Sequence, residues 1–221
     1  MNKVISTTEA RANFNFLRET FAGNDRAVIT PGYLRFDQLA TDQSTVRFNT
    51  KINQGAERAP EQRLQQSDAF FITHLGVFAS AQADGEPEGS AALQTFATAA
   101  PFGVSAPGIN TLLMSGRVNL TQDSVTLLNA LPAMGGREIG QAQTGVAGAE
   151  ASQFTRDNSL QPLVPGIRLN GGSSISLTLS VDEAVVTVAP VGFTNVLTVL
   201  VMGFLAQNCA EYNTGVRHLN L

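Results

Sequence analysis

The segment Ser174–Val181 constrains this fold more than any other. Ile175, Leu177, Leu179 and Val181 alternate with Ser174, Ser176, Thr178 and Ser180. Successive side chains of a strand point to opposite faces, so this segment is a strand with one apolar face and one wet face. Thr45–Asn53 repeats the pattern, with Val46, Phe48 and Ile52 set against Thr45, Arg47, Asn49 and Lys51. Leu112–Leu120 reads alike, with Leu112, Met114, Val118 and Leu120 opposing Ser115, Arg117 and Asn119. Half-buried strands of this kind belong to antiparallel sheets packed on one side.

Two further segments, Phe70–Ala79 and Thr194–Ala206, are apolar on both faces. Such strands need cover twice, from a second sheet on one side and from a helix, a loop or another subunit on the other. Gly32–Leu39, Pro165–Leu169 and Val125–Leu131 add short strands, the last with a helix as its alternative. Asp182-Glu183 is short enough to turn Ser174–Val181 into a hairpin with Ala184–Ala189. The expected class is mainly β, an antiparallel β-sandwich of eight or nine strands. No linker or fixed-period repeat divides it, so residues 24–221 read as one domain.

A helix is expected only at the start. Ser6 and Glu9 have capping-box spacing, and Ala10, Phe14, Leu17 and Phe21 then recur at helical intervals. Gly23 supplies a left-handed stop. This amphipathic helix, within residues 1–23, either packs on its own domain or is an arm that docks on a neighbouring subunit through Phe14, Leu17 and Phe21. Long polar or Gly/Ala/Pro-rich stretches at Ala83–Ser90, Ala99–Asn110 and Gly135–Gln153 read as loops, and loops of that length tend to be functional or interfacial.

Composition limits the partners. The chain of 221 residues is 43% hydrophobic but only 14% charged, against roughly 25% charged in ordinary domains. Neutral Thr, Ser, Asn and Gln take much of the place of charge. Fourteen basic residues against 18 acidic give a net charge of -4. Lys3 and Lys51 are the only lysines, and no basic residue lies between Arg63 and Arg117. Sequence-specific binding to nucleic acid needs clustered cations, so no such partner is expected. The uncharged run Ala184–Ala210 is long enough to cross a bilayer. Its β-branched residues and the turn Pro190-Val191-Gly192 instead favour two buried strands. Met1–Glu9 has no apolar run of the secretory kind, and Cys209 is alone, so a disulfide-stapled secreted module is not expected.

Reaction centres are sparse. His74 and His218 stand apart, without metal-ligand spacing to Cys209. His74 lies in a strand pattern as a structural histidine, and Cys209 reads as an inert thiol. Nucleophile-elbow and phosphate-loop motifs are missing. Asp84, Glu86 and Glu88 cluster beside Gly85 but lack the ligand set of a calcium loop. With no Trp and only Tyr33 and Tyr212, sugar platforms are scarce, which weakens a glycosidase reading. The expectation is a protein that is not an enzyme, with no metal and no cofactor.

Neutral polar surface lets copies pack without desolvating many charges. At this point the chain resembles the coat proteins of small icosahedral viruses, particularly non-tailed bacteriophages with a jelly-roll capsid subunit. The resemblance rests on Phe70–Ala79, the meander Ser174–Ala206, the helical segment Ser6–Ala22 and loops such as Gly135–Gln153. It implies an eight-stranded sandwich of two Greek keys, many copies in a shell, and an arm on the inner face. One roll fits the length better than two, since sixteen strands of roughly five to six residues would leave little for loops. The implied partners are copies of the chain, with other virion proteins or an inner membrane as further candidates. The implied location is the virion, assembled in the host cytoplasm. Met1–Gly23 departs from polybasic capsid arms, since Lys3, Arg11 and Arg18 are offset by Glu9 and Glu19. The rival expectation is a β-sandwich ligand-binding or adhesive module of a fibre or tail.

Overall fold

The computed structural model describes residues 7–20, 27–40, 42–48, 64–86, 90–134, 142–143, 150–151 and 160–209. Two antiparallel four-stranded sheets form a β-sandwich. In the first sheet lie β1 (Val28–Leu39), β10 (Phe193–Gln207), β3 (Ala69–Ala83) and β8 (Gln161–Asn170), side by side in that order. The second holds β2 (Thr45–Phe48), β9 (Ile175–Ser180), β4 (Arg117–Gln122) and β5 (Val125–Pro132). A separate ribbon pairs β6 (Ala142–Gln143) with β7 (Glu150–Ala151).

The pairing is nested. β1 lies against β10, β2 against β9, β3 against β8, and β4 against β5. β10–β3 and β9–β4 contacts complete the sheets. Among the described residues only the β4–β5 turn is a two-residue hairpin, at Asp123-Ser124, where both residues have positive φ, 50° and 69°. That conformation matches the twist of the flanking strands.

Alternation fixes which side chains meet. Leu34 and Phe36 of β1, Phe70, Ile72, Leu75 and Val77 of β3, and Leu197, Val199 and Val201 of β10 turn inward. There they meet Val46 and Phe48 of β2, Leu177 and Leu179 of β9, and Val118 and Leu120 of β4 in one continuous core. Burying each such side chain stabilises the fold by about 1.5–3 kcal/mol. The strands that read as apolar on both faces, Phe70–Ala79 and Thr194–Ala206, fall within β3 and β10, the two central strands of one sheet.

Three expectations need correction. Leu112–Leu120 is not one strand: α3 (Ala106–Ser115) ends at Gly116, and β4 begins at Arg117. The helical set Ile109, Leu112 and Leu113, all fully buried, overrode a chance alternation. Ala99–Asn110 is not an open loop either. It folds as α2 (Ala99–Phe102), a 3-10 turn (Gly103–Ser105) and the first half of α3, with Pro107 in the first helical turn where its missing N–H costs nothing. Ala184–Ala189 is no strand and makes no hairpin with β9. β9 and β10 lie in different sheets, so residues 181–192 must cross between them.

Among the described residues no helix is long and apolar enough to cross a membrane. α1 covers Thr7–Thr20. Ser6, Phe21 and Gly23 of the expected helix and its caps lie outside the described residues, as does most of Gly135–Gln153.

Candidate functional site

The register gathers four connections at one end of the sandwich. Leu39 of β1 pairs with Val196, near the start of β10, and Ala83 at the end of β3 pairs with Phe193. In the other sheet Arg117, opening β4, pairs with both Ser180 and Pro132. The β1–β2, β3–β4, β5–β8 and β9–β10 connections therefore leave from the same end. The Asp123-Ser124 turn is at the other.

A buried polar knot holds this loop end together. Asn195, 3% exposed, donates from Nδ2 to Ser105 Oγ at 2.7 Å and to Thr187 O at 2.9 Å. The Ser105 hydroxyl donates its single proton to Phe102 O at 2.6 Å, so it must accept from Asn195. That fixes the orientation of the amide. Thr187, fully buried, donates from its backbone N–H and from Oγ1 to Asp42 Oδ1, at 2.6 and 3.2 Å. Ala40 N–H donates to Asn195 O at 2.9 Å. Three connections are thus tied to β10 through Asn195, two by its side-chain amide and the third by its backbone carbonyl. Asn195 Oδ1 accepts no hydrogen bond among the described residues.

Two glycines allow the close approach. A Cβ at Gly108 would stand 1.8 Å from Val186 O, and one at Gly103 would stand 2.7 Å from Pro190 Cγ. Gly103 also has φ 59°. The 103–108 and 184–192 segments accordingly lie directly against one another.

The outward side chains of these braced segments are apolar and wet. Val104 and Val191 are 84% and 103% exposed, Val186 and Val188 more than half, and Phe193 partly. Residues 89–116 and 184–210 contain no charged side chain. Exposed apolar residues scattered singly are ordinary, whereas these five lie on two segments packed directly against one another. Sequence reading missed this surface. Its signal was the uncharged run Ala184–Ala210, which was read as two buried strands.

The expected arm residues sit elsewhere. Leu17 of α1 is 3% exposed, packed with Ala69, Phe71, Ala206 and Cys209 on the outer face of the β10–β3 pair. Phe14 is 38% exposed, with its ring centroid 6.0 Å from that of Phe204. Phe21 lies outside the described residues. Arg11, Asn15, Arg18 and Glu19 face solvent.

Other groups with chemical potential are dispersed. Cys209 is a buried free thiol. Burial pushes its pKa up, opposed by Arg168 and reinforced by Asp68, so it is held in the unreactive thiol form. Burial also lowers the Arg168 pKa. His74 is half-buried in β3, its Nδ1 2.9 Å from Thr73 Oγ1. Asp84 and Glu86 are exposed, Glu88 and His218 lie outside the described residues, and among the described residues no three acidic, His or Cys side chains are grouped to hold a metal. Hydrogen bonds from the Ser173 side chain and the Ser174 backbone hold the Asp123 carboxyl below the ordinary aspartate range.

Compared with known protein families and with curated proteins, the chain matches none of the family models and none of the curated sequences.

Proposed function

We propose that this chain is a structural subunit that assembles with copies of itself into a closed shell, the coat protein of a small icosahedral virus of bacteria. The observation that carries the reading is the strand order, β1-β10-β3-β8 facing β2-β9-β4-β5. Its nested pairs, from β1·β10 inward to β4·β5, fit the order expected of a single jelly roll, a sandwich of two Greek keys. Fold alone does not imply function. Here it is joined by a low-charge surface and by apolar side chains left in water after the core has closed.

In this reading residues 1–23 are an amphipathic arm seated on its own domain through Leu17, with the partly exposed Phe14 left to serve assembly, and residues 24–221 are the shell domain. Other virion proteins or an inner membrane are secondary neighbours, and the genome is not read by sequence. The subunit has no catalytic task and works in the virion. Sedimentation velocity and negative-stain electron microscopy of the purified chain test this. Regular shells or capsomers are expected. A monodisperse monomer that persists at high concentration refutes it.

A further inference from the structure

We infer that the loop end is a contact between copies of this chain, in which Val104, Val186, Val188, Val191 and Phe193 of one copy are covered by a second copy. The inference rests on the assembly reading and adds to it the face and the partner.

The first argument is area. From their fractional exposures, these five residues offer about 500–600 Å² of mostly apolar surface, against roughly 800 Å² per partner in a standard stable interface. The patch therefore supplies most of one partner's share. It also reaches the upper limit of what monomers ordinarily leave uncovered. The second argument is preorganisation. Val186 and Val188 flank the buried Thr187, and Val104 precedes the buried Ser105, both held by the Asn195 knot. A braced surface loses little freedom when it is covered.

Charge selects the partner. Residues 89–116 and 184–210 are uncharged, and Arg117, the first cation after residue 116 in the sequence, pairs with Asp182 at 3.1 Å. Among the described residues of the patch none can neutralise phosphates or acidic lipid headgroups. Asp84 and Glu86 stand at the rim, where Asp84 N–H donates to Gly192 O at 3.0 Å, and they would repel an anionic surface. A second copy brings a patch equally neutral and apolar at its centre, so no charge loses its water at the core of the contact.

The full chain and the single variants Val191→Asp and Val104→Asp test this. Both residues are exposed, so folding should be retained, as checked by thermal melts. Sedimentation velocity should find assemblies of the unaltered chain, and self-association weakened at least tenfold in each variant at unchanged melting temperature. Assemblies that form equally well in both folded variants would overturn the inference while leaving the assembly reading standing. An unaltered chain that stays monomeric would overturn both. If the unaltered chain is monomeric but floats with neutral phosphatidylcholine vesicles, and Val191→Asp does not, the surface is a lipid contact and the inference is wrong.

Discussion

Replacing Asn195 with Asp gives the sharpest test of the knot at the loop end. The Nδ2 group of Asn195 supplies two donations, to Ser105 Oγ and Thr187 O. The Ser105 proton is committed to Phe102 O. An aspartate at 195 would therefore point oxygen at oxygen, with no donor facing it. A carboxylate so buried takes up a proton, and a rise of about three pKa units is typical at such depth. At 1.36 kcal/mol per unit this costs about 4 kcal/mol at neutral pH. In a chain of this size that lowers the melting temperature by about 8–16 °C. The sign follows from linkage. A raised folded-state pKa means that N195D matches the parent best below the unfolded aspartate value of about 3.9, where both states are protonated. The deficit grows as pH rises from there and levels off above the folded-state pKa. Melting curves of N195D and parent at half-unit steps from pH 4 to 8 would measure this difference. A deficit that is absent at pH 7 would show that these two donations do not hold the end together, and one equally large at pH 4 and pH 8 would show that the new carboxyl does not stay buried.

Gly108→Ala should destabilise by about 1–3 kcal/mol in urea unfolding, because its Cβ would collide with Val186 O, and an unchanged midpoint would deny the close approach. Ser124→Gly should raise stability by about 0.5–1 kcal/mol by relieving a non-glycine residue at φ 69°, whereas a loss would mean that the Ser124 side chain matters more than its backbone. The Asp123 carboxyl should titrate, by carbon-detected NMR, below the ordinary aspartate range. Its support for the turn is then present above that range and fades as pH falls through the depressed value, and a midpoint at or above the ordinary value would contradict the hydrogen bonds from Ser173 and Ser174. Leu17→Ala should weaken the seat of α1 by about 2 kcal/mol or more, raising the rate at which a thiol reagent reaches Cys209 at least tenfold while the sandwich melt changes little. An unchanged rate would mean that α1 does not shield Cys209.

Much of the architecture could be read from residue spacing. Ser174–Val181 and the doubly apolar Phe70–Ala79 and Thr194–Ala206 give their strands away because alternation and burial leave direct marks. The central position of β3 and β10 follows from apolar residues on both faces. The helix α3 was hidden because Leu112, Met114, Val118 and Leu120 keep an even spacing across a boundary, and because Pro107 and Gly108 look like breakers. Both are welcome there, one in a first helical turn and the other under a carbonyl of a distant segment. The hairpin expected at Asp182-Glu183 failed for a reason that spacing does not carry, since the choice between turning back and crossing to the other sheet is made by pairing with β3. The loop end was the least legible. Asn195 stands in an apolar run like any interrupting polar residue, and only the crossing segments reveal what its amide bonds. Leu17 was marked by periodicity, but whether it serves its own domain or a neighbour is not written in helical spacing.

Nesting also dictates when the sheet can close. Val28 faces Gln207, so the outermost rung waits for nearly all the chain between them to leave the ribosome. Joining such distant partners is entropically slow, placing this fold among those that need milliseconds to seconds rather than microseconds. Until then β3, greasy on both sides, lacks the neighbour that shields one of its edges, and premature encounters between nascent chains are the hazard. A β10 that arrives last therefore acts as a timer, delaying a finished first sheet until the sequence for the whole sandwich has been translated.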